Sequence, residues 1–216
     1  LLAALLLSIP FWITGFWGLL GMGYNNDLGL HLAWAEWLRS GFGTEPSDGY
    51  PLGPHGLTAA LTAIPEFGLG RVFIGQVAAI AVLSVMTAWA AVESLGRWRR
   101  LLAALLVGLP YLMVSFYAQA AFKELAAAMF LLAFVVALPK LTPLPGERRL
   151  RAILPLLVLL LGIIFTYSFP GLAWPAAALL AWLLADPAFR ARLKPGVLFG
   201  WLRKPAVAIL TVLGLG

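Results

Sequence analysis

The residues best able to do chemistry lie in a few short stretches. In the first, Asp27-Leu28-Gly29-Leu30-His31, a carboxylate and an imidazole stand four positions apart. On a helix that spacing places them on one face, about 5 to 6 Å apart at Cβ. Across residues 27–40 the apolar arc consists of Leu28, Leu30, Trp34, Ala35, Trp37 and Leu38. Asp27 and His31 fall in the middle of that arc, whereas Glu36 faces the other way. Ionisable groups turned inward are costly and mark functional candidates. Asp27 also suits a helix N-cap, accepting from the amides of Gly29 or Leu30, and the two roles are compatible.

The second stretch is Tyr50-Pro51-Leu52-Gly53-Pro54-His55. Pro54 suits the start of a helix, and His55 would then sit in a first turn whose free backbone amides favour an anion such as phosphate. The plainer alternative is a Pro-rich turn with a surface histidine. The third is Lys123-Glu124, where the lysine offers a point charge to a lipid phosphate and Glu124 would orient it. An interfacial ion pair is the alternative. Tyr167 and Ser168 offer hydroxyls to a polar cavity, and Arg71 is one more cation near the first two stretches. Two histidines and several carboxylates in one segment also make donors for a divalent metal, though without a tight spacing such as HxxxH.

The elements that must hold these residues are membrane helices. Of 216 residues, 62% are hydrophobic and 11% charged, too little polar surface for a water-soluble domain. There is no cysteine, which excludes disulfides, thiolate metal sites and cysteine nucleophiles. The pattern predicts an all-α, polytopic transmembrane bundle of about seven spans, forming a single domain over 1–216 that is a segment of a longer chain. A first span covers about Leu1 to Leu20 and a second Val72 to Val92, with an outer loop over 21–71 carrying juxtamembrane helices. His55 to Ile64 is too short to span and reads as interfacial or re-entrant. The run 101–139, whose only charges are Lys123 and Glu124, and the uncharged run 152–185 would be roughly 58 and 51 Å long as single helices, against a hydrocarbon core of roughly 30 Å. Each must fold back, the first near Lys123-Glu124 and the second at Tyr167-Ser168-Phe169-Pro170-Gly171. A seventh span starts at Pro205. Trp17, Trp34, Trp37, Trp98 and Trp201 suit an interfacial aromatic belt.

Charge assigns the sides. The breaks at 93–100, 140–151 and 186–204 hold twelve of the fifteen basic residues, while the other face has three basic against six acidic ones. The positive-inside rule makes the basic loops cytoplasmic and puts 21–71 outside. The net charge of +6 is therefore topology and not a bid for nucleic acid.

The order of a first span, a juxtamembrane D-x-x-x-H helix (Asp27 to His31, continuing LAWAEWLRSG), the turn YPLGPH and six further spans resembles the GT-C superfamily of membrane glycosyltransferases. That resemblance implies transfer of a sugar from a polyprenyl-phosphate donor to a glycan, lipid or protein acceptor, on the outer side of a prokaryotic plasma membrane. It implies Asp27 as catalytic base or acceptor-positioning carboxylate, with His31 orienting it or touching a substrate. His55, Lys123 and Arg71 would meet the leaving phosphate. Many members have two adjacent carboxylates where this chain has Asn26-Asp27, so the resemblance leaves metal use open. Other expectations compatible with the residues are a transporter or lipid flippase using Asp27 and His31 as an ion or proton site, and a membrane scaffold with no active site.

Overall fold

A computed structural model of the protein describes residues 1–15, 27–64, 67–110, 114, 121–141, 146–185 and 187; for 27, 141 and 146–152 it describes the backbone only. Among the described residues the chain is all-helical, with no strand. The helices are α1 (Leu2–Thr14), α2 (Asp27–Ser40), α3 (Gly53–Thr62), α4 (Leu69–Ala91), α5 (Arg97–Gly108), α6 (Phe122–Ala137), α7 (Gly146–Tyr167) and α8 (Ala173–Ala185). Short 3-10 turns follow α6 at Leu138–Leu141 and α7 at Phe169–Leu172. The chain divides into two compact units, Leu1–Pro175 and Ala176–Gly216, and the packing described below lies within the first.

Two helical stretches, Leu69–Ala91 and Phe122–Lys140, are long and apolar enough to cross a membrane. At 1.5 Å per residue they run roughly 34 and 28 Å, close to a hydrocarbon thickness. Only 39% and 33% of their apolar windows are buried in the protein, so most of that surface faces outward, as lipid would require. The apolar helices Leu2–Thr14, Ile153–Tyr167 and Phe169–Ala185 are shorter. Among the described residues, two of the expected seven spans are of full length. The end of the first span, the break at 21–26, the loop residues 142–145 and the seventh span lie outside the described residues.

The first expected turn is close to where the sequence puts it: Ala121 lies outside α6, which starts at Phe122, so Lys123 and Glu124 ride in its first turn. Helix α5 ends at Gly108, two residues before Pro110, whose ring has no N–H to extend the ladder. The second expected turn is where the sequence puts it, with α7 ending at Tyr167 and the 3-10 turn following.

Aromatic and aliphatic side chains lock the helices together. Leu7 and Phe11 of α1, Phe73, Val77 and Ile80 of α4 and Phe122, Leu125 and Ala126 of α6 form one core cluster. Ala3, Val85, Ala88 and Ala104 form a second. Leu7 and Phe11 share a cluster with Phe73 and Val77, and Ala3 shares one with Val85 and Ala88, which makes α1 antiparallel to α4. The Phe73–Phe122 contact, 5.1 Å between ring centres and nearly perpendicular, and the packing of Leu132 against the Val85–Ala88 cluster further along make α4 and α6 parallel. Helix α5 runs back along α4, and a Cβ on Gly108 would come within 2.7 Å of the Val85 backbone, so that close approach requires glycine. At the far end Arg100 Nε donates to the Trp89 carbonyl at 2.7 Å and its guanidinium lies 4.4 Å over the Trp89 ring, serving one of the last free carbonyls of α4. The result is a bundle whose one end collects the starts of α4 and α6 and the end of α7, and whose other end collects Arg97, Arg99, Arg100 and Lys140.

Candidate functional site

At the first of those ends, α2 and α3 fold over the bundle. Helix α2 buries His31, Trp34 and Ala35, an i, i+3, i+4 set. Glu36 and Arg39 sit on its wet face, paired through Nε to Oε2 at 2.8 Å and Nη2 to Oε1 at 2.6 Å. The inward turn expected of His31 is what the structure has. Leu30 and Leu38, expected on the apolar arc, are instead more than a third exposed, because contact is made by the narrower His31-Trp34-Ala35 stripe. Trp34 is also no interfacial belt residue: it is 6% exposed and packed inside the site.

Helix α3 begins with Pro54 in its first turn and buries Pro54, His55, Thr58 and Ala59. Three contacts fix that turn. A Cβ on Gly53 would lie 2.7 Å from both the Cβ and the carbonyl oxygen of Phe165, so only glycine lets α3 rest on α7. Gln76 Nε2 donates to the Pro54 carbonyl at 3.2 Å. The Thr58 hydroxyl lies 2.6 Å from Gln76 Oε1 and 3.0 Å from the Pro54 carbonyl. Gln76 and Thr58 were not singled out from the sequence; the signal available was a lone side-chain amide in an otherwise apolar span.

These constraints bring His55 onto His31. Their facing nitrogens, Nε2 of His55 and Nδ1 of His31, are 3.0 Å apart, a buried hydrogen bond between residues 24 apart in sequence. A single proton occupies that contact, donated by one ring to the other. Phe122 closes the pair from below, edge-on to both rings at 4.7 and 5.0 Å. Trp34 packs at 5.6 and 5.7 Å from the two imidazoles, and Tyr50 lies tilted against Trp34 at 4.3 Å. His55, fully buried on a helix outside the two span-length segments, is held neutral. Burial, then the positive charges of His31 and Lys123, push its pKa down from 6.5 to about 3.

Lys123 completes the cluster. Its Nζ sits 4.5 Å from the centre of the Tyr50 ring and 5.9 Å from that of Tyr167. The expected orienting role of Glu124 is not what the structure has: no ion pair joins Lys123 to Glu124 among the described residues. Consecutive helical residues point about 100° apart, so Glu124 turns away, and aromatic faces orient the ammonium instead. Glu124 lines a separate cleft, about 240 Å³ in volume, whose wall includes Tyr167.

The structure thus gathers His31, Tyr50, His55, Lys123 and Tyr167 from α2, the loop before α3, α3 itself, the start of α6 and the end of α7. Arg71 is exposed in the first turn of α4, outside the cluster's contacts. Asp27 opens α2 one turn before His31, and its side chain lies outside the described residues. No group of three His, Asp or Glu side chains able to hold a metal occurs among the described residues. Chemically the site offers a hydrogen-bonded imidazole pair able to pass one proton, with His55 held neutral, and an ammonium with no carboxylate partner among the described residues. Both are walled by aromatic rings. No protein-family model, curated protein or solved structure matches this chain.

Proposed function

We propose that the protein is an integral-membrane glycosyltransferase of the GT-C kind, moving a sugar from a polyprenyl-phosphate donor to an acceptor at the outer membrane face. The observation that carries this reading is the convergence of His31, Tyr50, His55 and Lys123 at one end of the bundle, opposite the end that collects Arg97, Arg99, Arg100 and Lys140. A basic end faces the cytoplasm. The cluster then sits at the outer leaflet, where a lipid phosphate would lie.

In this mechanism the acceptor hydroxyl gives its proton to the Asp27 carboxylate as its oxygen attacks the anomeric carbon. The bond from that carbon to the phosphate oxygen breaks, and the phosphate leaves with the electron pair. Lys123, pre-set between Tyr50 and Tyr167, meets the charge that develops on the leaving oxygen. The His31–His55 pair fixes the inner side of α2 and so the register of Asp27. Apolar walls around the pair exclude water that would otherwise hydrolyse the donor.

The test is transfer by the full chain in lipid from a polyprenyl-phosphate sugar. Asp27→Asn abolishes turnover while expression and thermal stability stay at the wild-type level. Undiminished turnover by that variant sinks the assignment. The buried imidazole pair also suits the proton relay of a transporter, and proton-driven uptake of a solute into proteoliposomes, without transfer, would favour that second reading.

A further inference from the structure

The cleft beside the cluster has a composition of its own. Glu124, Ala127, Ala128 and Leu131 occupy positions i, i+3, i+4 and i+7 of α6 and form one wall. Tyr167, the last residue of α7, and Trp174, half-exposed at the start of α8, close the other side, their rings 5.3 Å apart and nearly perpendicular. The volume of about 240 Å³ equals about eight waters at roughly 30 Å³ each, room for one ring-sized group. The Tyr167 ring is shared, with the Lys123 ammonium 5.9 Å from its centre.

We infer that this cleft is a monosaccharide subsite, with Glu124 accepting a sugar hydroxyl and Trp174 and Tyr167 packing against the ring's C–H face. The walls discriminate among occupants. A hydrocarbon chain would strip water from the Glu124 carboxylate and return no hydrogen bond. A cationic ligand would meet the ammonium of Lys123 across Tyr167. A neutral ring with hydroxyls on its edge and C–H bonds on its face satisfies the carboxylate, the aromatic rings and the alanine floor together. The sharing of Tyr167 places that ring next to an anion held at Lys123, as in a sugar phosphate. The choice of a sugar among neutral polyols rests on the transferase reading above.

The test is saturation-transfer NMR on the full chain in phosphatidylcholine nanodiscs, with the methyl glycosides of glucose, galactose and mannose as probes. At least one glycoside receives saturation at its ring protons. Glu124→Gln weakens its binding roughly tenfold, as loss of a charged hydrogen-bond acceptor should. Ala128→Leu, a change at an exposed position that fills the cleft without touching the core, removes the signal even if Trp174→Leu does not fold. The proposal is overturned if no glycoside is saturated, if both variants bind as wild type, or if farnesol displaces the glycoside from the cleft. Asp27→Asn separates the two readings, since it keeps glycoside binding while losing transfer. Glycoside binding by a wild type that transfers no sugar leaves the subsite standing and removes the transferase.

Discussion

Acidification should unfold this protein through His55, by an amount the structure sets. In the folded state His55 is fully buried against His31, Phe122 and Trp34, and its pKa is pushed down from 6.5 to about 3. In the unfolded chain it titrates near 6.5. Between those values the unfolded state binds one more proton than the folded state, so stability rises with pH across that window. The contribution of neutral His55 is fully present above pH 6.5 and is lost as pH falls toward 3. Each unit costs about 1.4 kcal/mol, which makes about 3 kcal/mol between pH 7 and pH 4.5. His55→Gln removes the titration while retaining a side-chain N–H that reaches toward His31. Carboxylates and His31 are common to both proteins, so the difference between their pH profiles isolates His55 and its coupling to His31 and Lys123. Denaturation in mixed micelles at half-unit steps from pH 7 to 4.5 measures it. Wild type should lose about 3 kcal/mol more than His55→Gln over that range. Parallel profiles would refute a buried, neutral His55 and with it the packed imidazole pair.

Three other outcomes are expected. Lys123→Met, which keeps the length of the side chain and removes its charge, should cut transfer by roughly 10- to 100-fold in kcat/KM through loss of one charge-assisted contact to phosphate, with thermal stability near wild type. Ser168 lies at φ 60 and ψ −173, a conformation costly for a residue with a Cβ, so Ser168→Gly should raise stability by about 1 kcal/mol in thermal unfolding. For orientation, single cysteines at Ser47→Cys and Thr142→Cys should react with a membrane-impermeant reagent on intact cells only in the first case, and the reverse pattern would invert the sidedness.

Local signals made a good part of the fold readable. Pro54 announces the start of α3, the YSFPG turn ends α7 at Tyr167, and the period of α2 turns His31 inward. All three depend on a few neighbouring residues and on steric rules that act within a turn or two of helix. The charged pair Lys123-Glu124 marks the start of α6 at Phe122, because an ammonium and a carboxylate are cheapest at a helix end close to water. Trp34 fits two local patterns, an interfacial belt and the inward arc of α2, and its burial follows the arc because α3 packs on that face.

The site itself shows where local reading stops. Asp27, His31, Tyr50, His55, Lys123 and Tyr167 could each be named from residue type and position, yet the bond that organises them joins His31 to His55 across 24 residues. That contact exists because Gly53 admits the backbone of Phe165, 112 positions further along, and because Gln76 grips the first turn of α3. Neither constraint has a sequence period. Lys123 and Glu124 make the opposite case, since their parting is legible in the geometry of a helix: adjacent side chains diverge by about 100°, so one dipeptide serves the aromatic cluster and the neighbouring cleft. Tyr167 is the partition between them, facing an ammonium on one side and lining the carboxylate's cleft on the other. In the proposed transfer a donor with a phosphate and a sugar needs two adjoining subsites, and a helix start that carries Lys-Glu would supply both from consecutive residues.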